Sequence, residues 1–297
     1  MKIVTIGTVY VDIKGYPEKG FVPTGRNVGQ VKYFHGGVAR NIAEDVAALG
    51  EESVFVGLTD WSGVAADVVK HLQQCGVNTD YMKPTEDGMG TWMAVFTPEG
   101  DLCANLSKRP QLLPICDILE QHGDKIFSQA QALLLEIDID EPIVAQAMAL
   151  AEQYGVPVYG VISNMNIALE RLAYIRKTAC FICNRLEAGI FFGQSIEGVT
   201  PSQMLELLQA NLAQQGMQSM VVTMDADGSV YADSQGNDGL CPALPIRLVD
   251  TTGAGDAFFA GTSVGLTRGY ALGEACLLGA EAAAEVLQRQ ENVLAQK

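Results

Sequence analysis

The sequence predicts an α/β protein with a mostly parallel central sheet that is covered by helices on both faces. Short apolar segments alternate with amphipathic helical segments along most of the 297 residues, which is typical of parallel strands joined by helices. Apolar residues make up 48% of the chain, enough to bury a large core. Because we find no internal repeat, low-complexity tract or linker, we expect one domain over residues 1–297 rather than two small ones.

The N-terminal region predicts a buried strand, a polar excursion and a helix. Residues 1–7 are mostly apolar, and the strand that they predict places Asp12 just beyond its carboxyl end, where ligands of open α/β sheets collect. The next stretch, 13–34, is rich in Gly and Pro with scattered β-branched residues, and we interpret it as lid strands. Two consecutive glycines then open a helix over 38–49.

The rest of the chain continues the alternation after a second excursion. Residues 89–96 and 102–106 flank the turn signal Pro98-Glu99-Gly100-Asp101, which predicts a hairpin. With the first excursion it would form a lid of about residues 12–35 and 88–108. Further strands are predicted at 53–57, 132–137, 158–162, 180–183, 219–223 and 229–232. Further helices are predicted at 64–75, 142–154, 167–175, 186–192, 201–215, 257–266 and 272–287.

Composition excludes several classes of partner. The formal net charge of −16 argues against nucleic acid and anionic membranes, because their phosphate groups would be repelled. We see no apolar run long enough to span a bilayer and no signal-peptide pattern, so we expect a cytoplasmic protein. Seven scattered cysteines favour reduced thiols over disulfides. Cys180 and Cys183 form a C-x-x-C, but residues three apart on a strand face opposite ways, which disfavours a metal site.

A Gly-rich turn that runs into a helix is the most informative stretch. Gly253 and Gly255 leave the backbone amides uncovered, and unpaired N–H groups at a helix start attract a negative group. Asp256 follows directly, either as a simple cap or as a catalytic group. The chain contains no Gly-Lys dipeptide, which excludes a Walker A loop, and Phe258 stands where a dinucleotide fingerprint needs a third Gly.

Two motifs at opposite ends of the chain identify a family. Residues 249–261 resemble the C-terminal signature of the ribokinase-like (PfkB) family of sugar and nucleoside kinases, and Gly-Gly-x-x-x-Asn-x-Ala at 36–43 resembles its N-terminal signature. The resemblance spans the whole chain. It implies a three-layer α/β/α fold with a small β-strand lid, and an enzyme that uses ATP and magnesium to phosphorylate an alcohol.

The resemblance also implies catalytic roles for the Gly-rich turn. The amides of Gly253, Ala254 and Gly255 would stabilise the transferring phosphoryl group, and Asp256 would accept the proton of the acceptor hydroxyl. Because a helix start favours an anion, we expect Asp256 to be ionised at neutral pH.

The nucleotide and metal residues follow from two further matches. Asn184 and Glu187 match the family's Asn-x-x-Glu motif, which implies that Glu187 helps to hold magnesium through water; a plain N-cap with a first-turn acid is the alternative. Thr223, Asp225 and Gly228 resemble the family segment that, with Asn184, binds the nucleotide, although the usual Gly after the Thr is absent.

A monovalent cation, such as potassium, would be bound by Asp250 and the backbone of Thr252, by similarity to ribokinase. Alternatively, Asp250 only orders the turn.

The acceptor residues lie near the N-terminus. Four residues occupy positions that the family uses to bind sugar hydroxyls: Asp12, Gly36, Gly37 and Asn41. Residues 11–15 and 36–44 are similar to the pseudouridine kinase subgroup, which makes Lys14 and Asn27 candidates for contacts to base or ribose; a solvated Lys14 is the alternative.

Departures from that subgroup put the nucleobase in question. They comprise Val28 and the segments 105–108 and 136–138, which lie where the acceptor would be chosen. The leading expectation is phosphorylation of pseudouridine to pseudouridine 5'-phosphate. The alternatives are another nucleoside, a free sugar such as ribose, fructose or 2-keto-3-deoxygluconate, or a ligand-binding relative without turnover. The apolar face of the lid strands must rest on substrate, core or another subunit, and from the last of these we expect a homodimer through the lid.

Overall fold

The computed structural model describes residues 1–97 and 101–296. The strands are β1 (Lys2–Ile6), β2 (Tyr10–Pro17), β3 (Gly29–Gly36), β4 (Glu52–Thr59), β5 (Asn78–Pro84), β6 (Gly90–Phe96), β7 (Leu102–Lys108), β8 (Ala130–Glu136), β9 (Val158–Val161), β10 (Cys180–Asn184), β11 (Ser219–Thr223), β12 (Ser229–Asp233) and β13 (Asp238–Cys241). The helices are α1 (Val38–Ala48), α2 (Gly63–Gln74), α3 (Ile115–Phe127), α4 (Glu141–Tyr154), α5 (Met165–Ala168), α6 (Leu172–Ile175), α7 (Arg185–Phe192), α8 (Pro201–Gln215), α9 (Ala254–Thr267) and α10 (Leu272–Val286).

The large sheet contains nine strands in the order β13-β12-β11-β10-β9-β8-β1-β4-β5. The seven strands from β11 to β5 run parallel to one another. At the other edge, β12 is antiparallel to β11, and β13 is antiparallel to β12. The predicted, mostly parallel sheet is therefore confirmed.

Helices cover both faces of this sheet because its central strands are apolar on both sides. On β1, Val4 and Ile6 belong to a core formed with α3, α4, α7 and α8. Ile3, which points the other way, packs in a core with α1, α9 and α10. On β10, Cys180 and Cys183 fall into these two opposite cores, as the predicted strand requires. The three-layer arrangement is confirmed.

A second sheet of four strands lies in the order β3-β2-β6-β7. Its hairpins β2–β3 and β6–β7 are antiparallel, whereas the two inner strands β2 and β6 run parallel. These strands occupy the two segments that were predicted to form a lid. That the second sheet functions as a lid stays a prediction. Of the predicted turn between β6 and β7, residues 98–100 lie outside the described residues.

The sequence patterns missed some elements and misjudged the bounds of others. Helix α3 and strands β5 and β13 were not predicted. The predicted helix at 167–175 is wrong as one element, because a tight 3₁₀ turn at Leu169–Arg171 separates α5 from α6. Helix α9 begins at Ala254, earlier than predicted, because Gly253 itself is the N-cap.

Within the part of the chain that the structure describes, every helix is too short or too polar to cross a bilayer.

Candidate active site

The Gly-rich turn has a backbone that only glycine fits. Gly253 adopts φ +83°, and a Cβ atom there would collide with the carbonyl group of Asn292. A Cβ on Gly255 would meet open space. The start of α9 is therefore open at Gly255, with the positive end of the helix behind it, and the Ala254 amide makes only a long bond of 3.4 Å to the Thr251 carbonyl. This arrangement suits a phosphate group.

Asp256, in the first turn of α9, is held by a side chain from the other end of the chain. The Asn41 amide nitrogen donates a hydrogen bond of 2.6 Å to Asp256 Oδ2. Asn41 is buried in the first turn of α1. The two motifs that the sequence places 215 residues apart thus meet at one carboxylate.

Burial dominates the acid–base behaviour of Asp256. Burial raises the pKa of Asp256 to about 6, against the hydrogen bond from Asn41 and the charge of Arg40, while the carboxylates of Asp12 and Glu187 raise it further. The expectation that the helix start alone sets the charge was therefore incomplete, because the loss of solvent outweighs it. At pH 7 the carboxylate is still mostly ionised.

Arg40 is a site residue to which sequence analysis gave no role. Its buried guanidinium donates to Glu44 Oε2 at 2.6 Å and to the His35 carbonyl at 2.6 Å, and it also contacts Asn41 Oδ1. It thereby orients the Asn41 amide so that the nitrogen faces Asp256. The spacing of four between Arg40 and Glu44 on one helix was the signal in the sequence, and it indicates an ion pair but not the contact with Asn41.

Asn292 is a second residue that sequence analysis missed. Its side-chain nitrogen donates to the His35 carbonyl at 2.9 Å and to Asn41 Oδ1 at 3.3 Å. The neighbouring Val293 and Leu294 are buried, and the Leu294 amide donates to Asp45 at 2.7 Å. The last described segment of the chain therefore packs under the Gly-rich turn.

The acceptor-side candidates lie where β2 meets the start of α1. Asp12 is half-buried on β2, and a Cβ atom on Gly36 would meet its carboxylate at 2.7 Å. Gly37 takes φ +100° as the N-cap of α1. Burial raises the pKa of Asp12, while the positive charges of Lys14 and Arg40 oppose that rise.

Lys14 is not the solvated surface residue of the alternative interpretation. Its side chain is on the buried side of β2, and the residue is only 7% exposed. The ammonium lies 4.8 Å from the centre of the Phe34 ring and 3.4 Å from Thr252 Oγ1. It links the second sheet to the Gly-rich turn.

Asn27 is not brought to the other candidates in the structure. It lies in the exposed loop at the far end of the β2–β3 hairpin, and its side chain exchanges hydrogen bonds with Val22 at 2.8 and 2.9 Å. Pro17, where β2 enters this loop, is five positions after Asp12, which corresponds to about 16 Å along a strand. The loop satisfies the polar groups of Asn27 by itself.

The nucleotide-side candidates meet at the ends of two adjacent parallel strands. Asn184, at the end of β10, is the register partner of Thr223 at the end of β11. Asp225 is exposed and has φ +53°, in the tight turn after β11. Gly228 closes that turn at φ +87°, where a Cβ atom would collide with the Cys241 carbonyl.

Asn184 and Glu187 form a complete capping box. The Glu187 amide donates to Asn184 Oδ1 at 2.9 Å, and the Asn184 amide donates to Glu187 Oε2 at 2.8 Å. The alternative of a plain cap is thus present in the structure. Glu187 is nevertheless half-buried, and burial together with the nearby charge of Asp138 raises its pKa.

Asp250 orders the Gly-rich turn, one of the two roles that the sequence left open. Its Oδ1 accepts a hydrogen bond of 2.8 Å from the Thr252 amide. Its second proposed role, in binding a monovalent cation with Thr252, is compatible with this contact, since the other carboxylate oxygen is not used by it.

Five carboxylates influence one another across the cleft: Asp12, Glu136, Asp138, Glu187 and Asp256. Glu136 and Asp138, at the end of β8, were noticed only as departures from the subgroup pattern. Burial, then the charge of Asp138, raises the pKa of Glu136 to about 8, and Glu136 accepts a 2.8 Å bond from the Thr8 amide. These acidic side chains, from β2, the end of β8 and two helix starts, therefore lie within electrostatic range of one another.

Comparison with known proteins identifies relatives along the whole chain. The model of the pfkB family of carbohydrate kinases matches residues 1–295. Guanosine-inosine kinase of Exiguobacterium acetylicum is 32% identical over 295 residues, which cover 99% of this chain and 96% of that protein. Pseudouridine kinase of Escherichia coli is 26% identical over 262 residues, which cover 87% and 82%.

A solved structure shows the same fold. Ribokinase of Arabidopsis thaliana, complexed with ribose and ATP, superimposes with a TM-score of 0.81 at 20% identity, over 97% of this chain and 93% of that one.

The two glycines of the turn provide a matched pair of variants. We expect Gly253→Ala to lower the free energy of unfolding by at least about 1–3 kcal/mol, because it combines a positive φ with a collision against Asn292. Gly255→Ala should leave that free energy nearly unchanged, because its Cβ enters open space. Denaturant unfolding of both variants measures this, and equal stabilities would contradict the tight packing described for Gly253.

Proposed function

Because the chain belongs to the pfkB family of carbohydrate kinases, we propose that it transfers the γ-phosphoryl group of ATP to a ribose hydroxyl of a nucleoside. The observation that carries the proposal is the Asp256 carboxylate, fixed by Asn41 at the open N-terminus of α9. A base and a phosphate-binding helix end stand side by side there, which is what an in-line transfer needs.

The proposed chemistry uses few groups. The acceptor hydroxyl loses its proton to Asp256 as its oxygen bonds to phosphorus and the bond from phosphorus to the leaving oxygen of ADP breaks. The backbone N–H groups of Gly253, Ala254 and Gly255 bind the oxygens of the group in transfer. Water would compete as acceptor, so closure of the second sheet over the cleft would favour the intended hydroxyl.

Cations complete the proposed site. Magnesium bound with ATP would neutralise phosphate charge, and we assign Glu187 to hold it through water, with Asp138 within electrostatic range of Glu187. Asp250 and Thr252 would serve a monovalent cation such as potassium.

The nucleotide would lie along the ends of β10 and β11. We assign its phosphates and ribose to Asn184, Thr223, Asp225 and Gly228.

An aromatic face on the second sheet supports a nucleoside over a free sugar. Asp12 has Phe34 and Trp92 as register partners on the two neighbouring strands, so their side chains share one face. Phe96 lies on the same face, with its ring centre 6.3 Å from that of Trp92 and 5.5 Å from that of Tyr16. Asp12 suits ribose hydroxyls, and the rings suit stacking against a base.

Two nucleoside classes are candidates. The relative with 32% identity is named for guanosine and inosine, and a broad aromatic face suits a purine, so purine nucleosides are our first candidates. The motifs at residues 11–15 and 36–44, with the 26% identical pseudouridine kinase, favour pseudouridine as the second.

An acceptor screen tests the proposal. We expect ATP and magnesium to give a phosphorylated product, detected by mass spectrometry, with guanosine, inosine or pseudouridine and far less with ribose or fructose. Asp256→Asn should lower kcat by about 10²–10⁴-fold, the usual contribution of a general base, whereas the exposed Asp80→Asn should not. Trp92→Ala should raise KM for a nucleoside more than for ribose. Product from ribose alone, unaffected by Trp92→Ala, would refute the nucleoside assignment.

The pH profile tests the role of Asn41. With the pKa of Asp256 near 6, we expect kcat to fall as pH drops through about 6, because the protonated acid cannot accept the acceptor proton. Asn41→Ala removes a hydrogen bond that lowers this pKa, so the fall should begin at a higher pH. Asn211→Ala, which loses an amide on α8 away from the site, is the control. An unmoved profile in Asn41→Ala would exclude the contact from catalysis.

The outer face of the second sheet supports the expected homodimer. Ile13, Tyr33, Met93 and Leu106 are register partners across the four strands, on the face opposite Asp12. Tyr33 is 64% and Leu106 71% exposed. Because such a contiguous apolar face is costly in water, we infer that a second copy of the chain covers it.

A charge placed in that face should break the dimer. We expect Leu106→Glu to convert a dimer into a monomer in sedimentation equilibrium, because two acidic side chains would be buried near the symmetry axis. Leu277→Glu, at an exposed apolar position on α10, should leave the dimer intact. A wild-type chain that stays monomeric with and without nucleoside would refute this assembly.

A further inference from the structure

Three side chains with metal-binding atoms converge between α1 and α2, outside the proposed kinase chemistry. His71 Nε2 lies 2.9 Å from Glu44 Oε1. Cys75 Sγ lies 3.5 Å from the same oxygen and 3.6 Å from His71 Nε2. The three atoms thus form a small triangle of oxygen, nitrogen and sulfur.

The local sequence holds this triangle in place. His71 and Cys75 are four residues apart at the C-terminal end of α2, so they lie on one face. Glu44 is buried on α1, and its second oxygen is fixed by Arg40 at 2.6 Å. The side chain of His71 is 42% exposed, which leaves a path from solvent.

We propose that Glu44, His71 and Cys75 bind a divalent ion of the zinc class. In a tetrahedral zinc site, bond lengths of about 2.0–2.3 Å place neighbouring ligand atoms about 3.3–3.6 Å apart. The two distances to Cys75 Sγ already have that length. The Glu44–His71 distance would widen by about half an ångström as the ion replaces a shared hydrogen.

The donor atoms select the metal. A thiolate and an imidazole favour zinc and related transition metals, whereas magnesium, calcium and potassium prefer oxygen ligands only. On binding, the Cys75 thiol releases its proton to solvent, and the thiolate with the Glu44 carboxylate balances the charge of the ion. Water on the exposed side of His71 fills the fourth position.

The surroundings of the triangle are also ordered. The His35 ring packs edge-on against His71, with centres 5.3 Å apart. His35 Nε2 contacts Asp67 at 3.1 Å, one helical turn before His71. The same His35 presents its carbonyl to Arg40. An ion at Glu44 would therefore brace the residues that orient Asn41, without touching the acceptor or ATP.

Cobalt(II) is the probe, since it takes zinc sites and reports thiolate ligands by absorption. The full chain is titrated under reducing conditions with excess magnesium and without nucleotide, which would chelate the ion. We expect one equivalent to bind with a thiolate-to-cobalt charge-transfer band that zinc bleaches. Cys75→Ser should abolish the band, and His71→Ala should weaken binding by more than about 100-fold, beyond the usual cost of losing an outer-shell partner.

Matched variants keep the result interpretable. Cys103→Ser and His122→Ala remove a thiol and an imidazole elsewhere, on β7 and α3, and both should leave the band intact. Zinc should raise the melting temperature of the wild type but not that of His71→Ala. A cooperative melting transition of His71→Ala also shows that this variant is folded. No band in the wild type, or a band that survives in both Cys75→Ser and His71→Ala, would overturn the site. Neither result depends on turnover, so the kinase proposal stands or falls separately.

Discussion

The hydrogen bond between Asn41 and Asp256 is the contact on which the site depends. It joins the first turn of α1 to the first turn of α9, two helices on the same face of the sheet. The start of α9 provides backbone amides and the Asp256 carboxylate. The start of α1 provides the Asn41 amide, which donates to that carboxylate and keeps it in place. Arg40 and Asn292 both act through Asn41, since each holds its oxygen and leaves its nitrogen for Asp256.

Negative charge is in excess around Asp256. Five carboxylates influence one another there. The positive charges of Lys14 and Arg40 lower the pKa of Asp12, and that of Arg40 lowers the pKa of Asp256. Burial therefore raises the pKa of Asp256, Glu136 and Glu187 even though the helix end and the hydrogen bonds act in the opposite direction. This excess of negative charge is the physical reason for proposing that ATP enters with a cation.

The fold and the two ends of the site were accessible from sequence, because they rest on local patterns. A stretch of about ten residues is enough to predict the conformation of each strand, helix, glycine pair and Gly-rich turn. Arg40 and Asn292 were missed for different reasons. The partners of Arg40 are local in sequence, but no local pattern indicates that they orient Asn41 toward Asp256. Asn292 gains its role from His35 and Asn41, which lie 257 and 251 positions away, and a polar residue beyond the last predicted helix predicts nothing by itself. For Asn27 the limit is the converse one, since a motif match cannot reveal that a loop binds its own side chain.

Because the segment around Asn292 packs under the Gly-rich turn, we expect the site to become ordered late in folding. The contacts that complete the cleft join residues 215, 249 and 251 positions apart, so nearly the whole chain must be ordered before they form. Contacts that close such long loops form late, and segments held by few such contacts are the first to open. Partly folded molecules would thus keep most of the sheet and yet lack the contacts that hold Asn41 and Asp256 in place. Under mild stress the loss of catalysis should precede the loss of secondary structure.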